Sequence, residues 1–113
     1  MDAIGHLIGG KRVAGASGRG APVFNPATGE QTATVALASA AEVDEAVRVA
    51  TVAQAGWAAT PPLVRARAMF KFKELVEKHM DELAALVTAE HGKVITDARG
   101  SVQRGLEVVE FAC

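Results

Sequence analysis

The stretch ALASAAEVDEAV, residues 36–47, changes its hydrophobic periodicity near the middle and so separates two parts of the chain. Ser39 and Glu42 have the S-x-x-E spacing of a capping box, in which the two residues satisfy free backbone N–H groups where a helix starts. Apolar residues then recur at helical spacing: Val43, Ala46, Val47, Ala50 and, further on, Trp57. The pattern predicts a helix that begins at Ser39 and buries one stripe.

The region before this helix, residues 1–38, has short apolar runs that are separated by glycines, a pattern typical of strands joined by turns. The glycine pair at 9–10 lies between two such runs and predicts a two-residue hairpin turn. GASGRGAP, residues 15–22, predicts a glycine-rich loop. The pairs NP at 25–26 and TG at 28–29 predict turns between two further strands. We therefore expect an α/β fold that opens with β-hairpins over about residues 1–38.

The region after the first helix continues as helices, so the helical part covers about residues 39–113. The TPP sequence at 60–62 starts a second helix, since proline fits a first helical turn. A break is expected near His79, a glycine cap at Gly92 and a last helix from about Ile95 to the end. The expected core face of the second helix consists of Met69, Phe72, Val76 and Met80.

Composition excludes several classes of protein. The chain has 113 residues, a length that corresponds to one domain or part of one. Half of the residues are hydrophobic, and the net charge is −1. It has neither the basic patch of a nucleic-acid binder nor an apolar run long enough to span a bilayer, so neither nucleic acid nor a membrane is an expected partner. The single cysteine and the absence of a signal-peptide pattern favour the cytoplasm. The last helix has no stop signal, which suggests a piece of a longer protein.

The last helix, which contains VQRGLEVVEF at 102–111, has apolar residues on two faces. At about 100° per residue, one stripe contains Ile95, Ala98, Val102, Leu106, Val109 and Cys113. Arg104, Val108 and Phe111 form a second stripe, so the helix is expected to be buried on two sides. Two interpretations of Arg104 remain open at this point. It is either a surface arginine paired with Glu107 or Asp97, or a guanidinium that lines a pocket for an acidic small molecule.

The other candidates for chemistry are interpreted as structural. His6, His79 and His91 lack the spacing of metal ligands, and no metal site is predicted. Cys113 lies on an apolar stripe and is a small core residue, because a nucleophilic cysteine needs a base nearby. The loop glycines Gly15, Gly18 and Gly20 lack the strand-turn-helix context of a phosphate loop.

Several motifs taken together resemble the N-terminal part of the aldehyde dehydrogenases. They are FNPATGE at 24–30, the helix that ends in Trp57, the P-x-x-R-A-R turn that follows it, DELA and the E-x-GK at the third helix's end. RGLEVVEFAC at 104–113 is similar to the CoA-acylating methylmalonate-semialdehyde dehydrogenases in particular. The resemblance covers residues 6–113.

This resemblance implies that residues 1–113 are an N-terminal fragment of the NAD-binding domain, an incomplete part of a doubly wound cofactor domain. The family's catalytic cysteine, its glutamate base and its main NAD-contacting loops would lie beyond residue 113. Cys113 matches a structural cysteine, so no catalytic or cofactor-binding residue is assigned in this chain. No cofactor is expected to bind the chain alone, and whether it is an enzyme by itself stays open. A complete protein is expected to be a homo-oligomer.

The implied reaction is oxidation of methylmalonate or malonate semialdehyde with NAD and coenzyme A. A cysteine thiolate attacks the aldehyde, hydride leaves to NAD, CO2 is lost, and CoA takes the acyl group as propionyl- or acetyl-CoA. In these relatives the arginine of V-x-R-G binds the substrate carboxylate, and the match falls on Arg104. Ser101 replaces a glutamate common in relatives; we expect it on another face than Arg104, without effect on the site. The alternatives are a segment of a dehydrogenase without CoA chemistry, or a short product without activity.

Overall fold

A computed structural model describes residues 2–113, so Met1, the first residue of the predicted β region, lies outside the described residues. The chain divides into two compact units, one that ends at Ala59 and one that begins at Thr60. The first unit contains strands β1 (Asp2–Ile4), β2 (His6–Ile8), β3 (Lys11–Val13), β4 (Gly20–Phe24) and β5 (Gln31–Ala36) and helix α1 (Ala40–Ala59). The second unit contains helices α2 (Pro62–Lys78), α3 (Met80–His91) and α4 (Ile95–Phe111).

The predicted hairpin around residues 9–10 is confirmed, since β2 and β3 pair antiparallel and Gly9 and Gly10 have φ of 59° and 75°. The second predicted pair is also present, because β4 and β5 pair antiparallel. Its turn closes through the Asn25 backbone N–H, which donates to the Glu30 carbonyl at 2.8 Å. The Asn25 side-chain oxygen accepts from the Ala27 N–H at 2.9 Å, as asparagine does in turns.

Two details of the β region differ from the prediction. β1 belongs to no hairpin; it pairs parallel with β5, in a three-stranded sheet of order β1-β5-β4. The predicted loop at 15–22 is too long, because β4 already begins at Gly20. Gly20 pairs with Ala36, and a Cβ on Gly20 would lie 2.9 Å from the Thr34 methyl carbon. This glycine therefore permits close strand approach, where the sequence pattern indicated a loop.

The capping box at the start of α1 is confirmed. The Ser39 N–H donates to Glu42 Oε2 at 2.8 Å, and the Glu42 N–H donates to Ser39 Oγ at 3.3 Å. Glu42 Oε1 also accepts from the Ala16 N–H at 2.6 Å, which ties the preceding loop to this helix. The buried stripe predicted for α1 is wrong for this chain, since no α1 residue is buried and Trp57 is 47% exposed. Strands of three to six residues offer too little surface to cover a helix of 20 residues.

The hydrogen bonds to Glu42 predict a pH dependence of stability. The backbone N–H groups of Ser39 and then Ala16 lower the pKa of the Glu42 carboxyl from 4.5. Because the pKa is lowered in the folded state, the stabilisation is present above pH 4.5 and is lost as the pH falls through the folded value. We expect Glu42→Gln to lower the midpoint of urea unfolding at pH 7, and the difference from wild type to shrink at about pH 3. Glu107→Gln on the exposed surface of α4 is the control; a Glu42→Gln difference that is equal at both pH values would contradict the prediction.

The breaks between the helices of the second unit lie where the sequence predicts them. Pro61 precedes the first residue of α2, and His79 separates α2 from α3. Gly92 ends α3 with φ of 83°, a left-handed conformation in which glycine has no Cβ penalty. Its N–H donates to the Thr88 carbonyl at 2.8 Å. The local signals for helix ends therefore specify the connections of this unit.

The core of the second unit lies between α3 and α4. Ala84 on α3 and Ala98 on α4 are fully buried, and Leu106 on α4 is 3% exposed. Small alanine side chains let the two helices approach closely. The core face predicted for α2 is only partly correct, since Met69 and Val76 are half-buried whereas Phe72 is 50% exposed.

Among residues 2–113, none of the helices has both the length and the apolar character that a membrane span requires.

Candidate functional site

Helix α4 buries part of the first of its two apolar stripes, since Ala98 and Leu106 are buried whereas Ile95 is 46% exposed. Leu106 and Ala98 point into the core with α3, as predicted. Arg104, Val108 and Phe111, which we call the Arg104 face, lie roughly 140–200° around the helix from Leu106. Val108 is 69% exposed and Phe111 is 96% exposed, so the prediction that the helix is buried on two sides is wrong for residues 2–113. The α4 residues that are buried within this chain, Ala98 and Leu106, both belong to the first stripe.

Arg104 is exposed on this face, and its side chain turns back toward the start of the helix, the usual direction for long helical side chains. Its Nη2 donates to Ser101 Oγ at 3.3 Å, and its Nη1 lies 3.7 Å from where a Cβ on Gly100 would stand. The ion pair with Glu107 or Asp97 that the surface interpretation requires is not formed. Within the part of the chain that the structure describes, Arg104 has no salt bridge.

The expectation that Ser101 lies apart from Arg104 is wrong. The two residues are separated by three positions, which places them next to each other on a helix surface. Ser101 Oγ accepts from Arg104 Nη2 and also from Lys93 Nζ, the latter at 3.0 Å. The same hydroxyl donates to the Asp97 backbone carbonyl at 3.3 Å. Ser101 thus links two cationic side chains.

The charges around this hydroxyl are not balanced. Lys93 Nζ forms a salt bridge with Asp97 Oδ2 at 2.8 Å. The hydrogen bond from Lys93, followed by its charge and more weakly by the charge of Arg104, lowers the pKa of the Asp97 carboxyl. Asp97 therefore offsets Lys93, and the positive charge of Arg104 remains. A guanidinium with free N–H donors binds a carboxylate through two parallel hydrogen bonds.

Cys113 has the contacts of a structural residue. It is half-buried, and its Sγ donates to the Val109 carbonyl at 3.3 Å, on the stripe that the sequence predicts. His6 lies in β2, His79 between α2 and α3, and His91 at the end of α3. His79 Nδ1 is 3.1 Å from Glu82 Oε2. Among the described residues, no group of three or more potential ligands could hold a metal ion.

The glycine-rich segment between β3 and β4 is a connection fixed by hydrogen bonds. Gly15 and Gly18 have φ of 92° and 69°, which confirms their prediction as loop glycines. Ser17 Oγ donates to the Leu37 carbonyl, and Arg19 Nη2 donates to the Ala38 carbonyl at 2.8 Å. A hollow of about 270 Å³ beside the segment is lined mainly by alanine and glycine. The segment leads into a strand, so it lacks the helix N-terminus that a dinucleotide loop places at the phosphates.

Sequence reasoning missed the partners of Arg104. The three-residue spacing from Ser101 was available as a signal for their contact. Lys93 hydrogen-bonds Ser101 from a position before the first residue of α4, so the periodicity within the helix does not indicate this contact. The site therefore consists of Lys93, just before α4, and of Asp97, Ser101 and Arg104 on that helix.

Comparison with known proteins gives consistent matches. The sequence profile of the aldehyde dehydrogenase family matches residues 13–113. Malonate-semialdehyde dehydrogenase 3 of Geobacillus kaustophilus (strain HTA426) is 51% identical over 107 residues, which are 95% of this chain and 22% of that protein. The crystal structure of methylmalonate-semialdehyde dehydrogenase from Oceanimonas doudoroffii matches with a TM-score of 0.96 at 51% identity, over 100% of this chain and 23% of that chain.

A structure from Sinorhizobium meliloti 1021, assigned as a methylmalonate-semialdehyde dehydrogenase and complexed with NAD, has a TM-score of 0.95 at 56% identity. It covers 98% of this chain and 23% of that chain. The chain thus spans less than a quarter of the length of these relatives. The predicted α/β fold of strands followed by helices is confirmed as part of these structures. Because the family profile covers most of its residues, the chain belongs to the aldehyde dehydrogenase family.

Proposed function

We propose that the chain is the N-terminal segment of an NAD-dependent, CoA-acylating dehydrogenase for malonate or methylmalonate semialdehyde. The product would be acetyl- or propionyl-CoA, formed with loss of CO2. The observation that carries the proposal is the guanidinium of Arg104, an exposed residue that has no salt bridge within residues 2–113 and shares a face of α4 with the exposed Val108 and Phe111. The similarity to malonate-semialdehyde dehydrogenases supports the same substrate class.

In this proposal Arg104 binds and orients the carboxylate of the semialdehyde. A carboxylate is the part of the substrate that distinguishes it from a simple aldehyde of equal length. A bidentate pair with a guanidinium fixes both the position and the rotation of that group. Because arginine keeps its charge at any working pH, the contact is independent of proton transfer at the aldehyde.

The chemical steps belong to residues outside this chain. No strand of the described residues leads through a glycine turn into a helix; the β5–α1 connection is Leu37-Ala38-Ser39. Residues 2–113 therefore do not contain the turn that binds the pyrophosphate of NAD, and we assign them no step with NAD or CoA.

The proposal also covers the complete protein. In it, residues 1–113 are one part of the NAD-binding domain, and the complete protein is a cytoplasmic homo-oligomer.

An assay of the complete enzyme with and without CoA tests this function. We expect NADH formation from malonate semialdehyde to depend on CoA, and mass spectrometry to detect acetyl-CoA. Oxidation at the same rate without CoA, with a free acid as product, would instead indicate a dehydrogenase without acyl transfer. A stop codon directly after the codon for Cys113 would indicate a short product without activity, whereas an open reading frame that leads to the family's catalytic cysteine supports the proposal.

A further inference from the structure

Three polar side chains of α4 lie in a column, and a lysine that precedes the helix contacts two of them. Asp97, Ser101 and Arg104 are separated by four and then three positions, so they are neighbours on the helix surface. Lys93 Nζ lies 2.8 Å from Asp97 Oδ2 and 3.0 Å from Ser101 Oγ. Because the Lys93 side chain is only 19% exposed, water and salt screen these contacts less than they screen a fully exposed pair.

The carboxylate of Asp97 interacts with both cations of this column. The hydrogen bond from Lys93 and then its charge lower the pKa of the Asp97 carboxyl, and the charge of Arg104 lowers it further. Arg104 also turns its side chain toward the start of the helix, which is the end where Asp97 lies. If Lys93 were absent, Arg104 would be the strongest positive charge acting on Asp97. The lysine therefore decides which cation this carboxylate neutralises.

The same ammonium accommodates the glutamate that relatives commonly have at position 101. Lys93 belongs to the E-x-GK motif that this chain shares with those relatives. Its Nζ lies 3.0 Å from the side-chain oxygen at position 101, and an ammonium has three donors. A glutamate at that position would lie within reach of Lys93 and would be compensated by it, as Asp97 is here. A carboxylate on α4 thus leaves Arg104 available for as long as Lys93 engages it.

We propose that Lys93 is a positioning residue, which engages the carboxylate of Asp97 and thereby keeps the charge of Arg104 available for the carboxylate of the substrate. The inference rests on the proposed function of Arg104. Lys93 does not contact the substrate in this proposal, since its ammonium is directed to Asp97 and Ser101. It acts through Asp97, so the enzyme should no longer depend on Lys93 for its substrate preference once Asp97 is neutral.

The test is a set of variants in the complete enzyme, or in a chimera in which residues 1–113 replace the matching part of the Oceanimonas doudoroffii dehydrogenase. We measure kcat/KM for malonate semialdehyde and for propanal. Lys93→Met should lower the value for malonate semialdehyde about fivefold, mainly through KM, and the value for propanal less than about twofold. Lys93→Met combined with Asp97→Asn should restore the value for malonate semialdehyde to within about twofold of wild type.

Three further variants separate this role from a purely structural one. Lys93→Arg keeps the charge and should keep the substrate preference. Lys93→Gln keeps a donor for Ser101 without the charge; it should show the same selective loss as Lys93→Met, and it decides the test if the methionine variant does not fold. Lys73→Met is the matched control, because Lys73 is a 26% exposed lysine of α2 that forms ion pairs with Glu77 and Glu110. Its loss should affect both substrates alike.

The double variant and Arg104→Ala distinguish failure of this inference from failure of the proposed function. If the selective loss in Lys93→Met persists when Asp97→Asn is added, Lys93 acts on the substrate directly and the inference is wrong. If Lys93→Met and Lys93→Gln impair both substrates equally, or neither, the inference is also wrong; in each of these cases a selective loss in Arg104→Ala leaves the proposed function standing. If Arg104→Ala itself affects both substrates equally, the proposed function of Arg104 is wrong.

Discussion

Replacement of Arg104 by alanine in the complete enzyme should lower kcat/KM for malonate semialdehyde by about 30-fold or more. Truncating one partner of a desolvated charge pair costs about 2–5 kcal/mol, part of which comes from the partner that is left unpaired. Propanal has no carboxylate, so its kcat/KM should change far less. Arg104→Lys should restore only part of the loss, because an ammonium cannot form two parallel hydrogen bonds with a carboxylate.

Arg99→Ala is a matched control for this prediction. Arg99 also projects from α4, but it forms a salt bridge with Asp81 on α3, and both side chains are exposed. Exposed pairs of this kind contribute about 0–1 kcal/mol, so this variant should have a small and equal effect on the two substrates. Equal losses on both substrates for Arg104→Ala would show that Arg104 has a structural role, and measurement of kcat/KM for the two aldehydes decides between these outcomes.

The ends of the elements are predictable here because their signals are local. Ser39 and Glu42 lie three residues apart, and the hydrogen bonds between them define the start of α1. Gly92 ends α3 by its own left-handed conformation. The break predicted near His79 is a change at a single residue, which lies between α2 and α3 with φ of −106° and ψ of 21°. Each of these features depends on a few consecutive residues, which the sequence displays directly.

Pairing and burial are less predictable, since they depend on distant residues. β1 pairs with β5 across about 31 positions, as in the register of Asp2 with Ala33, and no local pattern selects that partner. Gly20 lies in a segment with the composition of a loop, but it pairs with Ala36 of β5, 16 positions further along the chain. The apolar pattern of α4 identifies two faces that can be buried, but not which one the neighbouring helices cover. Arg104 was found through the family resemblance; its contact with Ser101 requires the structure.

Residues 1–113 alone should form no NADH from malonate semialdehyde and NAD, with or without CoA. Acyl-transfer oxidation of an aldehyde needs a nucleophile and a base within hydrogen-bond reach of each other. Cys113 is the only cysteine of the chain, and its Sγ is hydrogen-bonded to the Val109 carbonyl at 3.3 Å. Among the described residues, no carboxylate or imidazole is hydrogen-bonded to that sulfur.

The measurement is the absorbance of NADH with purified residues 1–113, and the complete enzyme under the same conditions is the positive control. A substrate-dependent rate that disappears in Cys113→Ser would make Cys113 a nucleophile and would contradict its structural assignment. A rate that persists in Cys113→Ser would indicate a contaminating dehydrogenase, because serine without an adjacent base is a poor nucleophile. Absence of activity in residues 1–113 together with CoA-dependent activity in the complete enzyme would agree with a nucleophile and a base that lie outside this segment.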